Sequence, residues 1–282
     1  MKTWAEYYDS CRKEFNNAEK PAVSIYDLRL QMIPNSILDD EYYRIVSNIS
    51  KDVTNNMLEQ GTVQQINALS VKSVSPFMDD FQLLCDKYFK KYLEDNVFGS
   101  YVYCDNIKIY QTPKDSNKNK SSWIWHLDNN PKEQVKIMVY LSNVTTGYGA
   151  FEYIKDTDNE AVKATTRRVD YKDWCTSKGE HQSRHCSWWG SRVPDEAILA
   201  MVKSGCKPTP IHGKMGTAIL FDNNIVHKGS LPTKGDRLAA TLQFRPINYN
   251  RDSLVDKSYT GDGWAHTTFN MDPSIDTNIV RR

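Results

Sequence analysis

Cysteine is scarce and scattered in this chain: six residues in 282 (Cys11, Cys85, Cys104, Cys175, Cys186 and Cys206), with no CxxC pair. That pattern speaks against a disulfide framework and fits free thiols in a reducing cell interior. Neither sign of charge is in excess. Lys plus Arg number 36 against 35 Asp plus Glu, so bulk electrostatics imply no polyanionic partner, and nucleic acid is not expected. Long apolar runs are missing too. No stretch approaches the roughly 18 to 20 apolar residues that span a bilayer, and Met1 to Asp9 holds no apolar signal-like core. A cytoplasmic protein without a membrane anchor is therefore expected. Internal repeats and low-complexity tracts are absent. What is present is a hydrophobic fraction of 39% over 282 residues, enough for one large domain with a sizeable core.

Periodicity divides the chain near Gly99. Before it, Ser75 and Pro76 read as an N-cap and a first-turn proline, and Phe77, Phe81, Leu84 and Tyr88 follow at helical spacing, which predicts a helix ending at Gly99. A weaker stripe through Tyr42, Ile45, Ile49 and Val53, led by Asp39, Asp40 and Glu41, predicts another from about Leu38 to Leu58. Beyond Gly99 the period becomes two. Tyr101–Tyr103, Ile107–Tyr110, Trp123–His126, Val135–Leu141, Ala150–Ile154, Thr217–Phe221 and Leu238–Phe244 are short β-prone runs with few helices between them. The expected architecture is mainly β with a helical layer. A double-stranded β-helix, a cupin-like jelly roll, spans 100–246, with N-terminal helices (1–99) packed on it, an insertion over 155–210, and a tail over 247–282. Alternation in the last run puts Arg237, Ala239, Thr241 and Gln243 on one face, the expected interior. Trp123 and Trp125 alternate with Ile124 and His126 and are expected to pack outward against the helices.

One motif carries chemistry. His126-Leu127-Asp128 follows an apolar run, and a lone His227 arrives far downstream, ten residues before Arg237. Residues i and i+2 of an extended segment share a face, so His126 and Asp128 can hold one metal together while His227 comes from a distant strand. Two imidazoles and one carboxylate leave three positions of an octahedron open, as in the facial triad of non-haem Fe(II) oxygenases. An HxD alone is an ordinary chance event in a chain with this many Asp. Order and context raise its weight: apolar strand, HxD, further strands, then Gly216-Thr217-Ala218-Ile219-Leu220-Phe221-Asp222, the second histidine, and a basic residue.

From about Ser100 to Pro246 the chain resembles the Fe(II)/2-oxoglutarate-dependent dioxygenase superfamily, in its phytanoyl-CoA dioxygenase-like and prolyl-hydroxylase-like branches. The resemblance implies a single catalytic domain over 1–282. It assigns His126, Asp128 and His227 as iron ligands and catalytic centre, and Arg237 as the grip on the distal carboxylate of 2-oxoglutarate. Tyr140, Thr241 and Tyr110 fall where it implies further cosubstrate contacts. Many members carry Arg-x-Ser where this chain has Arg237-Leu238-Ala239. The cofactors implied are Fe(II), 2-oxoglutarate as cosubstrate and dioxygen, with ascorbate in support. Related halogenases have a small residue at the carboxylate position; Asp128 fills it, so hydroxylation of an unactivated C–H bond, with succinate and CO2 as coproducts, is expected.

The stretch from Lys155 to Pro210 is too long for a plain connection. It holds Trp174, Trp188, Trp189, Arg167, Arg184 and Arg192, and is expected to be either a partly helical lid contacting substrate through Arg167, Arg184 and Trp188 or a local mini-core. Its Cys175, His181, His185 and Cys186 offer zinc-binding side chains at a spacing that matches no standard finger. Its slight basic excess favours an anionic small-molecule substrate. A peptide or protein hydroxylase of the same chemistry is the alternative, and a non-catalytic cupin-like binder a third. Arg245 could rival Arg237, but eight residues of strand, about 26 Å, separate them.

Overall fold

The computed structural model describes residues 4–15, 21, 23–56, 58–60, 69–71, 75–114, 121–128, 133–163, 192–250 and 265–266. Helices α1 (Trp4–Glu14) and α2 (Asp40–Asn56) precede a compound helical run. Asp39 caps α2, accepting the Tyr42 backbone N–H at 2.9 Å, and Asp40 and Glu41 oppose the positive end of the helix dipole. Tyr42, Ile45, Val46, Ile49 and Val53 form its buried stripe.

The expected single helix before Gly99 is instead a chain of turns of different pitch. A 3-10 turn (Ser75–Phe77), α3 (Met78–Leu84), a π-helical turn (Cys85–Lys90), α4 (Lys91–Leu93) and a second π-helical turn (Glu94–Phe98) succeed one another. The apolar spacing explains it. Leu84, Phe89, Leu93 and Phe98 are all fully buried and stand five, four and five apart, so wider turns are needed to keep them on one face. Gly99 ends the run at φ 58°, its N–H bonding Glu94 O at 2.8 Å.

The strands are β1 (Leu30–Met32), β2 (Leu58–Gln60), β3 (Leu69–Val71), β4 (Tyr101–Thr112), β5 (Val135–Tyr140), β6 (Phe151–Lys155), β7 (Lys207–Ile211), β8 (Ala218–Asp222), β9 (His227–Gly229), β10 (Arg237–Ile247) and β11 (Ala265–His266). Among the described residues they build an antiparallel eight-stranded sheet ordered β1-β8-β5-β10-β4-β3-β2, with β11 also on β4, and a three-stranded sheet ordered β7-β6-β9. The first hundred residues thus supply three strands as well as helices. β7 lies inside the stretch expected to be insertion, because Lys207–Ile211 pairs with β6 residue for residue.

The large sheet is buried on both faces. Ile107, Ile109, Val135, Ile137, Val139, Leu220, Leu238, Ala240, Leu242 and Phe244 pack against the helices. Met138, Tyr140, Ile219, Phe221 and Ala239 point the other way and meet Ala150 and Phe151 from the small sheet's side. Strand β4 keeps its apolar residues toward the helices only because its pairing with β10 slips between Gln243 and Phe244, skipping Asp105. That bulge switches parity, so Val102 and Cys104 on one side and Ile107 and Ile109 on the other all face the helical layer. Asn106, Lys108, Tyr110 and Thr112 are left facing the small sheet. Among the described residues, no helix is long and apolar enough to cross a membrane.

Candidate metal centre and cosubstrate cleft

Between the two sheets lies a cleft of about 900 Å3, counting the solvent at its mouth. His126, Asp128 and His227 meet at its wall. One ligand atom from each lies within 4.8 Å of the others, with Asp128 Oδ1 3.7 Å from His126 Nε2 and Oδ2 3.6 Å from His227 Nε2. The segment before His126 is a 3-10 turn (Ser121–Trp123) rather than the expected strand, and His126 enters through an isolated bridge to His227. Their backbones exchange two hydrogen bonds, His126 N–H to His227 O at 2.9 Å and the reverse at 3.1 Å, which holds the two rings with centroids 4.3 Å apart. Asp128 N–H donates to Asn223 O at 2.8 Å, tying the other end of the HxD to the turn before His227.

The same local device orients both imidazoles. His126 Nδ1 lies 2.8 Å from Ile124 O and His227 Nδ1 2.9 Å from Ile225 O, so each ring donates from Nδ1 and turns an Nε2 lone pair toward Asp128. Burial, with His227 beside it, pushes His126 down to about 3, and burial lowers His227 as well. Burial alone would raise the Asp128 carboxyl, but Lys136 and the two imidazoles outweigh it and hold it well below the usual carboxylate range. Two neutral imidazoles and one ionised carboxylate are the protonation states a divalent metal requires of these ligands. The donor set fits iron.

A stability trend follows. Unfolded, both imidazoles protonate near their ordinary value of about 6.5, while the folded chain resists protonation at His126 down to about 3. Their contribution is therefore complete above about pH 6.5 and shrinks as pH falls from there toward about 3. The metal-free protein is expected to melt at a lower temperature at about pH 5 than at about pH 7.5. In His126→Gln that difference should narrow; an equal difference would show that the ring is solvated.

The turn leading to His227 is fastened from below. Asp222 accepts the Asn224 N–H at 2.6 Å and forms a buried ion pair with Lys163, whose ammonium also donates to Tyr26 O at 3.0 Å and Leu28 O at 2.8 Å. Lys163 and Arg192 flank the residues 164–191, and both are stitched to the centre, Lys163 by a bridge to Ile225 and Arg192 by a bridge to His126. Arg167, Arg184, Trp188 and the Cys175, His181, His185 and Cys186 set lie outside the described residues.

Arg237 lines the same cleft and is 3% exposed. Its guanidinium donates from Nη1 to Gly149 O at 2.6 Å and from Nη2 to Thr112 Oγ1 at 3.3 Å, and rests 5.6 Å from the Tyr110 ring centroid. Its Nε is buried and has no partner among the described residues. Tyr110 and Thr241 line the cleft as expected. Tyr140 does not. Its hydroxyl donates to Ile211 O at 2.8 Å and accepts from Phe151 N–H at 3.0 Å, pinning the small sheet to the large one, so it is a structural group. Trp123 is a second correction. It turns into the cleft instead of toward the helices, its Nε1 without a partner among the described residues, while Trp125 packs on Ile154, Val193, Ile198 and Val226, a cluster that includes helix α5 (Asp195–Lys203). Arg245 lies over Tyr103 and is not a lining residue.

Gly149 shows how tightly the Arg237 end is built. It sits at φ 74°, and a Cβ there would come within 2.7 Å of Pro232 Cγ and 3.1 Å of Ser230 O. Gly149→Ala should lower stability by about 1–3 kcal/mol in denaturant titration and weaken 2-oxoglutarate binding, because the carbonyl that orients Arg237 must shift. Unchanged values of both would show that the loop relaxes freely.

Sequence reading missed Asn106, Lys108 and Lys136 as lining residues. Both Lys108 and Lys136 were within reach as the polar members of apolar strand runs.

No family model matches the sequence, and no curated protein matches it. Solved structures do. EctD from S. alaskensis with bound Fe aligns at 15% identity and TM-score 0.50, over 82% of this chain and 79% of that one. Its apo form aligns at 14% identity and TM-score 0.50, over 88% and 86%. The fold is that of EctD. HygX from Streptomyces hygroscopicus with nickel and 2-oxoglutarate aligns at 15% identity and TM-score 0.47, over 83% and 91%.

Proposed function

We propose that the chain is an Fe(II)- and 2-oxoglutarate-dependent oxygenase that hydroxylates an unactivated C–H bond of a small molecule, releasing succinate and CO2. The observation that carries this reading is one cleft with two ends: a neutral His, neutral His, ionised Asp set at one, and a buried guanidinium with an unsatisfied donor at the other. EctD, whose fold this chain shares, carries Fe in one of its structures. In this reading the chain is a single catalytic domain with a double-stranded β-helix core.

His126, Asp128 and His227 would hold the metal, which supplies activation of dioxygen coupled to oxidation of the 2-oxo acid. The chain's own residues do the rest. The carbonyls of Ile124 and Ile225 fix the imidazole tautomers, Lys136 keeps Asp128 ionised, and Arg237 takes the distal carboxylate of 2-oxoglutarate with Thr112, Gly149 and Tyr110 fixing its plane. Phe151, Phe221, Met138 and Trp123 give the cleft apolar walls that exclude water from the reacting bond. Incubating the protein with Fe(II), ascorbate and 2-oxoglutarate tests the reading. Slow, iron-dependent appearance of succinate without added substrate is expected; its absence, together with no binding of 2-oxoglutarate, would leave a cupin-like binder.

A further inference from the structure

The cleft holds more positive charge than iron and 2-oxoglutarate can use, and its excess sits beside the metal ligands. Asp128 is the sole carboxylate among the described residues that line it, against Lys108, Lys136, Lys228 and Arg237. Lys228 has Glu152 at 3.4 Å. A divalent metal and the cosubstrate dianion cancel each other, and Arg237 stands at the cosubstrate's far end. Lys136 donates to Asp128 Oδ2 at 2.7 Å, so a metal on Asp128 would draw on the same charge that now balances this lysine. Lys108 projects from β4 into the cleft, its ammonium 5.3 Å from the Tyr110 ring centroid. Arg192 adds a third cation that interacts with Asp128.

The sheet register separates this group from Arg237. Lys108 pairs across β10 with Thr241, and Gln243 pairs with Asn106 on one side and Lys136 on the other. These rows lie four and six residues along β10 from Arg237, about 13 and 20 Å of strand. Gln243 is held by its amide, which donates to Gln134 Oε1 at 2.7 Å. The result is a polar floor of Asn106, Gln243, Lys108 and Lys136 in the cleft, joined to the triad through the Lys136–Asp128 contact and to the cosubstrate anchor through the Tyr110 ring that Lys108 and Arg237 share. Half-buried cations of this kind favour a bound anion when Asp128 is shared with a metal.

We propose that this floor binds an anionic group of the substrate, a carboxylate or a phosphate, directly beside the metal triad. This rests on the oxygenase reading and names the substrate class for it. Burial and neighbouring Lys136 push the Lys108 ammonium down to about 8, with Asp128 acting against them, so it remains mostly charged at neutral pH. A bound anion replaces the charge that Asp128 gives to the metal.

The test uses the intact chain, anaerobic, loaded with Fe(II) and saturating 2-oxoglutarate, and titrated by calorimetry with hexanoate, hexyl phosphate and the uncharged hexanamide. One of the two anions is expected to bind at least about tenfold more tightly than hexanamide, and which one distinguishes carboxylate from phosphate. Lys108→Met and Lys136→Met should each remove about tenfold of that preference, and Lys136→Arg should retain most of it. The Kd for 2-oxoglutarate in Lys108→Met should stay within about threefold of wild type. Equal binding of hexanamide and both anions overturns the proposal. So does a Lys108→Met variant that loses 2-oxoglutarate affinity instead of the anion preference, for the lysine would then belong to the cosubstrate. The same titrations on Fe(II)-loaded protein without 2-oxoglutarate separate the two readings: a lysine-dependent anion preference in protein that neither binds 2-oxoglutarate nor forms succinate would retain the anion site and discard the oxygenase.

Discussion

Alanine at His126, Asp128 or His227 should abolish iron-dependent succinate formation and weaken Fe(II) binding by more than the roughly hundredfold that loss of an outer-shell partner can cause. The geometry gives the reason. Each side chain supplies one of three ligand atoms lying within 4.8 Å of one another, and no further His, Cys, Asp or Glu joins that group among the described residues. The three variants should differ in a second readout. Removing Asp128 leaves Lys136 beside the triad without its 2.7 Å partner, so metal-free Asp128→Ala should lose stability by about 1–3 kcal/mol, the usual penalty for stranding one member of a hydrogen-bonded pair. Anaerobic Fe(II) titration, succinate assay and denaturant titration of the same three proteins measure all of this. Turnover that survives in any of them, or in wild type after thorough chelation, would move the metal to another site.

The triad was legible because its chemistry is local in sequence at one end and sparse at the other. An i, i+2 pair on extended backbone points one way wherever the strand goes, and a chain with six histidines offers few partners for it. Arg237, Thr241 and Gln243 were readable for the same reason, as alternation places them on one face of β10 and the sheet keeps it. Parity breaks are what alternation cannot see. The bulge at Asp105 joins two apparently separate runs into β4 and reverses the face of the residues before it, while the two π-helical turns carry apolar residues spaced five apart that look like noise against a period of 3.6. Short edge strands such as β1 carry too few residues for a pattern and are fixed by pairing with β8. Tyr140 was misplaced for a further reason. Its strand position is on the inner face, as expected, but a phenol there can either reach into the cleft or bond across to the small sheet, and that choice depends on Ile211 and Phe151, which are distant in sequence.

Arg237→Ala should weaken 2-oxoglutarate binding by a factor on the order of a hundred or more, because taking away one partner of a buried charged pair typically costs about 3–5 kcal/mol. The guanidinium is held ready for a carboxylate, since Gly149 O and Thr112 Oγ1 take two of its donors, Tyr110 supports its plane, and Nε is left over. Arg237→Lys separates charge from shape. An ammonium would keep the attraction but cannot hold Gly149 O and Thr112 Oγ1 and still present a planar fork to a carboxylate, so part of the loss should remain, on the order of tenfold. Iron affinity should survive both changes, since the bonds that orient the triad come from Ile124, Ile225, Asn223 and Lys136 and none from Arg237. Calorimetry with Fe(II) first and 2-oxoglutarate second reads the two effects apart. Wild-type cosubstrate affinity in Arg237→Ala would shift the anchor to the lysines of the cleft; a parallel loss of iron affinity would mean that the metal and cosubstrate sites are not independent.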